Sequence, residues 1–220
     1  MGARNVQGGR WLAHETEPYV ERLLWSAGLV RVAGVDEVGM GPLAGPVVAA
    51  AVVFAADAPW LRGIGDSKVL PGPARDVAAA AIRATALGVG LGIVEPAEID
   101  RLNIYQAGLQ AMRRAVMALP FLPDHVVVDA RHIPELDIPQ TRYVRADAIV
   151  YSVAAASIIA KVHRDGLMQA FDATYPAYGF ARHVGYATRE HLRALAEYGP
   201  TPLHRRSFAP CAAAAARFPG

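Results

Sequence analysis

The sequence predicts an α/β fold in which helices flank a mixed sheet and a helical portion follows at the C-terminal end. Short apolar segments with strand character occur mostly in the earlier part of the chain, with amphipathic helical patterns between them. Helical patterns dominate the remainder. Hydrophobic residues make up 53% of the 220 residues and charged residues 19%, which is enough apolar material for a full core. This composition excludes a disordered binding protein.

The individual elements follow from periodicity and from helix start and stop signals. Apolar runs bounded by turn residues predict strands at 30–38, 46–54, 87–94, 125–129 and 143–145. Helical spacing predicts helices at 16–28, 73–86, 96–119, 148–171 and 188–198. Glycines alternate with aliphatic residues at 87–94, which predicts that another backbone approaches this strand closely. The alanine-rich tail at 211–220 is expected to be only marginally structured.

No internal repeat or long linker divides the chain, so we expect a single domain over residues 1–220. Within it, residues 1–29 form a helical lead-in, 30–174 an α/β core and 175–220 a helical extension. The single cysteine, Cys211, excludes an intrachain disulfide and a cysteine-based zinc site. The longest apolar stretch is too short to span a bilayer, and no secretory signal is visible. We therefore expect a cytoplasmic protein without membrane contact.

Four acidic residues stand where carboxylates rarely serve stability. Asp36 and Glu37 end an apolar strand just before a glycine turn, Asp129 ends another strand, and Asp147 begins the long helix predicted at 148–171. Carboxylate oxygens suit Mg²⁺ or Mn²⁺ better than zinc or copper. Two such ions about 4 Å apart can activate a water and stabilise the leaving oxygen of a phosphodiester. The net charge is negative over residues 1–140 and positive over residues 141–220, and a nuclease needs such a basic flank.

Each acid also has an ordinary explanation. Asp147 could be a helix N-cap, Asp36 and Glu37 a turn-flanking pair, and Asp129 a strand-end residue that binds a turn amide. Neighbouring residues on a regular strand point to opposite faces. Asp36 and Glu37 can therefore serve one site only if the strand ends or twists at Glu37, which the following glycine allows.

Motifs that run in order through the chain connect these acids to a known family. They are VDEVGMGPLAGPV at 35–47, DSK at 66–68, EIDRLNI at 98–104, VD at 128–129, Asp147, AAASIIAKV at 154–162, YGF at 178–180, GY at 185–186 and RRSF at 205–208. Over roughly residues 20–210 the sequence resembles the ribonuclease HII family, the bacterial type 2 ribonucleases H.

The resemblance implies an RNase H-like mixed sheet with flanking helices and a C-terminal helical extension. It implies an endonuclease that cuts the RNA strand of RNA–DNA hybrids and incises 5′ of ribonucleotides embedded in duplex DNA. Two-metal-ion hydrolysis with Mn²⁺ or Mg²⁺ would leave a 3′-hydroxyl and a 5′-phosphate. Carried over by position, Asp36, Glu37, Asp129 and Asp147 would be the catalytic acids and metal ligands. A monomer is expected by the same resemblance.

The resemblance also implies substrate contacts, which are Gly39, Met40, Gly41, Ser67, Lys68 and Tyr186. Glycines let backbone amides approach the sugar-phosphate, and the 2′-hydroxyl distinguishes RNA from DNA. Tyr186 resembles the family tyrosine that stacks beside the RNA-to-DNA junction; otherwise it would be a half-buried aromatic at a helix entrance. Ser67 and Lys68 are expected to contact phosphate; as a lone pair they would be ordinary loop residues.

Two positions depart from the family pattern, because Met40 stands where arginine is usual and Val184 where lysine is usual. Both changes remove a positive charge near the nucleic acid. One alternative is therefore a catalytically weak hybrid-binding paralogue. Another is a junction resolvase of the same fold, which the glycine turn and Tyr186 disfavour.

Three later histidines, His183, His191 and His204, do not have the spacing of a compact metal site. No cysteine is placed to complete one. We therefore assign them no metal.

Overall fold

The computed structural model describes residues 16–65, 67 and 70–218. Within these residues the helices are α1 Tyr19–Ser26, α2 Gly72–Thr85, α3 Pro96–Leu102, α4 Ile104–Met117, α5 Tyr151–Thr174, α6 Phe180–His183, α7 Arg189–Tyr198 and α8 Ala209–Ala215. The strands are β1 Val32–Val38, β2 Val47–Val53, β3 Gly88–Val94, β4 His125–Asp129 and β5 Gln140–Tyr143.

The strands form one sheet in the order β3-β2-β1-β4-β5. Strand β2 pairs antiparallel with β1 and β3, whereas β4 pairs parallel with β1 and β5. The mixed sheet expected from the sequence is therefore confirmed. Val35 of β1 pairs with Val128 of β4, so the residues that follow them, Asp36 and Asp129, lie side by side towards the same end of the two strands.

Helices cover both faces of the sheet. Helix α4 packs across β1, β2 and β3 on one face, and α5 packs across β1 and β2 on the other. Strand β2 is valine and alanine throughout and is buried along its whole length, as expected for a strand covered on both faces. The close backbone approach predicted for β3 is confirmed, because a Cβ built on Gly92 would lie 2.0 Å from the carbonyl oxygen of Ala111 in α4.

Several element boundaries differ from the sequence predictions. The helix predicted at 96–119 is two helices, because Asn103 adopts a left-handed φ of 71° and its side chain accepts a hydrogen bond from the N–H of Gln106 to cap α4. The predicted strand at 143–145 lies earlier, at Gln140–Tyr143, since Arg145 is left-handed.

The C-terminal part is better ordered than expected. The tail predicted to be marginal forms α8, because Cys211 and Ala214 are buried against Leu43 and Leu195. The four-residue helix α6 has no counterpart among the predictions, since one helical turn is too short to show a periodicity. These C-terminal elements pack against the segment that joins β1 to β2.

The contact between β3 and α4 gives a stability prediction. Replacing Gly92 with Ala should lower the free energy of unfolding by about 2 kcal/mol or more, because the new methyl group meets backbone that cannot move aside. Gly166→Ala in α5 is the control, since its Cβ would meet nothing within 4 Å and alanine favours a helix. Urea unfolding of both variants measures the difference; equal stabilities would contradict the packing described.

Candidate active site

Four carboxylates from three segments gather at the edge where β1 and β4 end. Asp36 is buried on β1, Glu37 follows it, Asp129 ends β4, and Asp147 lies buried in the 3₁₀ turn Ala146–Ala148. Burial raises the pKa of Asp36 well above its ordinary value, and the negative charges of Glu37, Asp129 and Asp147 raise it further. The structure thus brings the four sequence-predicted acids within electrostatic reach of one another.

Asp36 and Glu37 lean towards opposite faces of the sheet. Asp36 accepts a hydrogen bond from Ser157 of α5, whereas Glu37 Oε1 lies 3.5 Å from Nη1 of Arg131, which stacks on Tyr105 of α4. Strand β1 keeps its pairing with β2 through Val38, so it does not end at Glu37 as the sequence analysis allowed. The two carboxyl groups still interact, because the charge of Glu37 raises the pKa of Asp36. Among the described residues no three acidic, histidine or cysteine side chains already form a metal-binding group.

The ordinary explanations can be compared with this geometry. Asp147 is not an N-cap, because the long helix α5 begins only at Tyr151 and Val150 precedes it. Asp129 does bind a turn amide, since its Oδ1 accepts a hydrogen bond of 2.7 Å from the N–H of Ala146. That bond draws the turn carrying Asp147 towards the end of β4. The structural role of Asp129 therefore helps to assemble the cluster.

Ser67 is linked to Asp36 through the hydroxyl group of Ser157. Its hydroxyl lies 2.8 Å from the hydroxyl of Ser157, which in turn binds Asp36. Ser67 is buried, and its carbonyl accepts a hydrogen bond from Arg75. The structure therefore places Ser67 beside an acid of the cluster, where its hydroxyl is already hydrogen-bonded. Lys68, expected to contact phosphate, lies outside the described residues.

The turn after β1 is held by Arg205, whose side chain is completely buried. Its guanidinium donates to the carbonyls of Gly39 at 2.6 Å, Met40 at 3.1 Å and Gly45 at 2.8 Å. In a trans peptide the N–H points opposite to the carbonyl, and the described residues contain no cis peptide. The N–H groups of Met40 and Gly41 therefore point away from Arg205.

Arg164 of α5 holds the other half of the same segment. It is also completely buried, and it donates to the carbonyls of Pro46 at 3.0 Å, Ala44 at 3.1 Å and Val184 at 2.9 Å. Sequence reasoning missed Arg164 and gave Arg205 no role. The available signal was a charged residue on the same face of α5 as the buried Ser157 and Met168.

Tyr186 reaches the glycine turn from the C-terminal part of the chain. Its Cε1 atom would lie 3.5 Å from a Cβ on Gly41, and its side chain is half exposed. The carbonyl of Gly185 accepts a hydrogen bond of 2.8 Å from the N–H of Leu43. The turn and Tyr186 therefore form one surface.

The two departures from the family pattern have distinct surroundings. Met40 turns inwards and packs on Gly108 of α4, beside Nη1 of Arg131. Val184 adopts a left-handed φ of 44°, which is strained for a β-branched residue, and the hydrogen bond from Arg164 to its carbonyl holds it there.

The three later histidines form a buried cluster away from the carboxylates. His191 Nε2 lies 3.0 Å from His204 Nε2, and the rings of His183 and His191 stack with centroids 4.5 Å apart. Burial lowers the pKa of His191, and that of His204 to about 4. His191 and His204 are thus neutral at ordinary pH, and the ring nitrogens of all three histidines make hydrogen bonds.

Comparison with known proteins identifies the relatives of this chain. The family model described as Ribonuclease HII matches residues 33–211. A Ribonuclease HII of Geobacillus kaustophilus (strain HTA426) is 55% identical over 190 residues, covering 86% of this chain and 72% of that protein. A Ribonuclease HII of Nitrosococcus oceani is 53% identical over 180 residues, covering 82% of this chain and 89% of that protein. The crystal structure of ribonuclease H2 from Pyrococcus horikoshii OT3 matches with a TM-score of 0.75 and 28% identity, covering 86% of this chain and 98% of that one.

The mixed sheet with helices on both faces places the protein in the RNase H-like fold class. The family model spans most of the chain, and the two relatives share more than half of their aligned residues with it. The chain therefore belongs to the ribonuclease HII family, a family of hydrolytic endoribonucleases.

The raised pKa of Asp36 predicts how stability depends on pH when metal is removed. An acid whose folded pKa exceeds its unfolded pKa stabilises the fold at low pH, and this stability is lost as pH rises through the folded pKa. In the presence of chelator, Asp36→Asn should therefore raise Tm by about 3 °C or more at pH 8, with the gain shrinking towards pH 4. Asp57→Asn, at an exposed site, is the control and should change Tm little at any pH. A Tm gain for Asp36→Asn that is independent of pH would contradict the electrostatic account.

Proposed function

We propose that this chain cuts the RNA strand of RNA–DNA hybrids and incises duplex DNA on the 5′ side of an embedded ribonucleotide. The products would be a 3′-hydroxyl and a 5′-phosphate. The observation that carries the proposal is the convergence of Asp36, Glu37, Asp129 and Asp147, in which three carboxylates raise the pKa of the fourth. Ribonuclease HII family membership supports the substrate class.

The donor chemistry of the cluster fits divalent metal ions. All its ligand atoms are carboxylate oxygens, which suit Mn²⁺ or Mg²⁺, and a buried group of like charges is stabilised when a cation neutralises it. Asp36, Glu37, Asp129 and Asp147 would hold the metal. When bound, such ions activate a water molecule and stabilise the charge on the leaving oxygen of a phosphodiester.

The chain's own residues would supply the orientation. Ser157 holds the Asp36 carboxylate by a hydrogen bond and is itself held by Ser67. The N–H of Ala146 fixes the Asp129 carboxylate. These bonds restrict carboxylates that would otherwise move apart through repulsion, and a restricted ligand set loses less entropy when it binds.

The surface formed by the glycine turn and Tyr186 fits the recognition of a ribose. Arg205 donates to the carbonyls of Gly39 and Met40, so the N–H groups of Met40 and Gly41 are directed away from Arg205. Backbone N–H groups bind phosphate and hydroxyl oxygens, and the 2′-hydroxyl is the group that RNA adds. Tyr186 lies against Gly41, in reach of a sugar or base bound at the turn.

No observation favours a catalytically weak paralogue. The four acids are present, and Met40 changes the side chain of the turn but leaves its main chain held by Arg205.

In the described part of the chain no helix is long and apolar enough to cross a membrane. The cytoplasmic location, the monomeric state, the single domain and the phosphate contact of Lys68 stay predictions.

The direct test is cleavage of a DNA duplex that carries one ribonucleotide, with Mn²⁺ and then with Mg²⁺. We expect incision 5′ of the ribonucleotide by the wild-type chain and a loss of at least about a thousandfold in rate for Asp36→Asn, because removing a metal ligand removes the charge that the reaction needs. Asp57→Asn is the control. Cleavage by Asp36→Asn at the wild-type rate would contradict the assignment of the cluster as the active site.

Met40 gives a second prediction, on the salt dependence of binding. Met40→Arg and Val184→Lys should each steepen the fall of log K with log salt concentration by about one unit, because each adds one phosphate contact and releases about one counterion. The Met40 side chain packs inwards, so an arginine there has to turn outwards, away from Arg131, to make its contact. Met40→Gln, neutral and of similar size, is the matched control. The slopes are measured by fluorescence anisotropy on a hybrid duplex with metal replaced by Ca²⁺. Unchanged slopes in both charged variants would show that neither position faces phosphate.

A further inference from the structure

A continuous chain of buried hydrogen bonds leads from Thr201 to Tyr186. The N–H of Thr201 donates to Nδ1 of His204 at 3.0 Å, His204 Nε2 lies 3.0 Å from His191 Nε2, and His191 Nδ1 lies 2.9 Å from the carbonyl of Tyr186. Both imidazoles are almost completely buried. The contacts therefore run unbroken from the start of the 201–208 segment to the backbone of Tyr186.

The direction of every bond in this chain follows from its first member. A backbone N–H can only donate, so Nδ1 of His204 accepts and its proton is on Nε2. His204 Nε2–H then donates to His191 Nε2, which leaves the His191 proton on Nδ1. His191 Nδ1–H donates in turn to the carbonyl oxygen of Tyr186. The lowered pKa values of both histidines keep them in these neutral forms.

Stacking also fixes the position of the His191 ring. Its ring stacks on His183, whose Nδ1 accepts from the N–H of Gly185 and whose Nε2 donates to the carbonyl of Tyr178. The donor that reaches Tyr186 is thus held in both position and tautomer. Because the Tyr186 side chain is half exposed, the place of its ring beside Gly41 depends strongly on where its backbone is held.

We propose that His191 is a positioning residue for Tyr186, and that His204 and Thr201 fix the His191 tautomer that does this. The proposal rests on the proposed function, in which Tyr186 contacts the ribonucleotide. The Tyr186 carbonyl has a second donor, the N–H of Thr188 at 2.8 Å, and the N–H of Tyr186 donates to the carbonyl of His183 at 2.9 Å. The network would act on substrate recognition: with the Nδ1–H donor absent, the Tyr186 carbonyl loses one of its two donors and the ring is held less firmly beside Gly41.

Two replacements of His191 separate its two hydrogen bonds. An asparagine amide reaches about as far as Nδ1 and can still donate to the Tyr186 carbonyl, whereas a glutamine amide reaches about as far as Nε2 and keeps the contact with His204. Both variants lose the imidazole stacking on His183. Any general loss of packing therefore affects both alike, and thermal unfolding checks that it does.

The readout is KM and kcat on a duplex with one ribonucleotide. We expect His191→Gln to raise KM about tenfold with kcat within about threefold of wild type, which corresponds to about 1.4 kcal/mol of substrate binding. We expect His191→Asn to stay within about twofold of the wild-type KM. Equal KM values for the two variants would overturn the proposal, because a purely structural role does not distinguish which ring nitrogen is replaced.

A second pair of variants, at His204, tests the proposal independently if the His191 variants fold poorly. His204→Gln keeps the donor towards His191 and should leave KM near wild type, whereas His204→Asn removes that donor and should raise KM. The opposite order, or no difference, contradicts the tautomer argument.

Tyr186→Ala separates this inference from the proposed function. If Tyr186→Ala leaves KM unchanged, the substrate role of Tyr186 fails and the positioning role fails with it. If Tyr186→Ala raises KM while His191→Gln does not, only the positioning role of His191 is wrong.

Discussion

The buried guanidinium groups of Arg164 and Arg205 have no carboxylate at salt-bridge distance among the described residues. They determine the shape of the surface that we propose to face the substrate. Their partners are main-chain carbonyls near both ends of the segment 39–46 and the carbonyl of Val184. Burial lowers the pKa of both, that of Arg205 to about 9, so Arg205 keeps its charge at neutral pH. A buried charge is tolerated only when it is fully hydrogen-bonded, so this segment has little freedom to rearrange.

The sheet brings the like-charged carboxylates close together. Parallel pairing of β1 with β4 brings Asp36 and Asp129 to one edge, and the bond from Ala146 to Asp129 adds Asp147. A cation bound by these carboxylates would offset the free-energy cost of their mutual repulsion. The proposed function arises because the acidic edge made by the strands lies next to the turn that the two arginines hold.

The sequence predicts those parts of the molecule that depend on local patterns. The bounds of β4, His125–Asp129, and the close approach at Gly92 follow from apolar runs and glycine placement. The four acids could be found because they stand at the ends of predicted strands and of a predicted helix, and the ribonuclease HII resemblance implied their role as metal ligands. The break at Asn103 could not be predicted, since a left-handed asparagine within an amphipathic pattern is decided by how α3 and α4 pack. Arg164 and Arg205 escaped assignment because their partners are carbonyls, which every residue has.

The arginine contacts also affect the order in which parts of the fold can form during synthesis. Arg205 binds carbonyls 160 to 166 residues earlier in the chain, and Arg164 binds carbonyls 118 to 120 residues earlier. Contacts of such long sequence separation form late, and a chain that leaves the ribosome from its N-terminal end can complete β1 to β4 before Arg205 emerges. The nascent chain thus acquires its acidic edge first and the surface that would recognise a ribose last, so a partly made protein carries the negative charges without the means to select RNA.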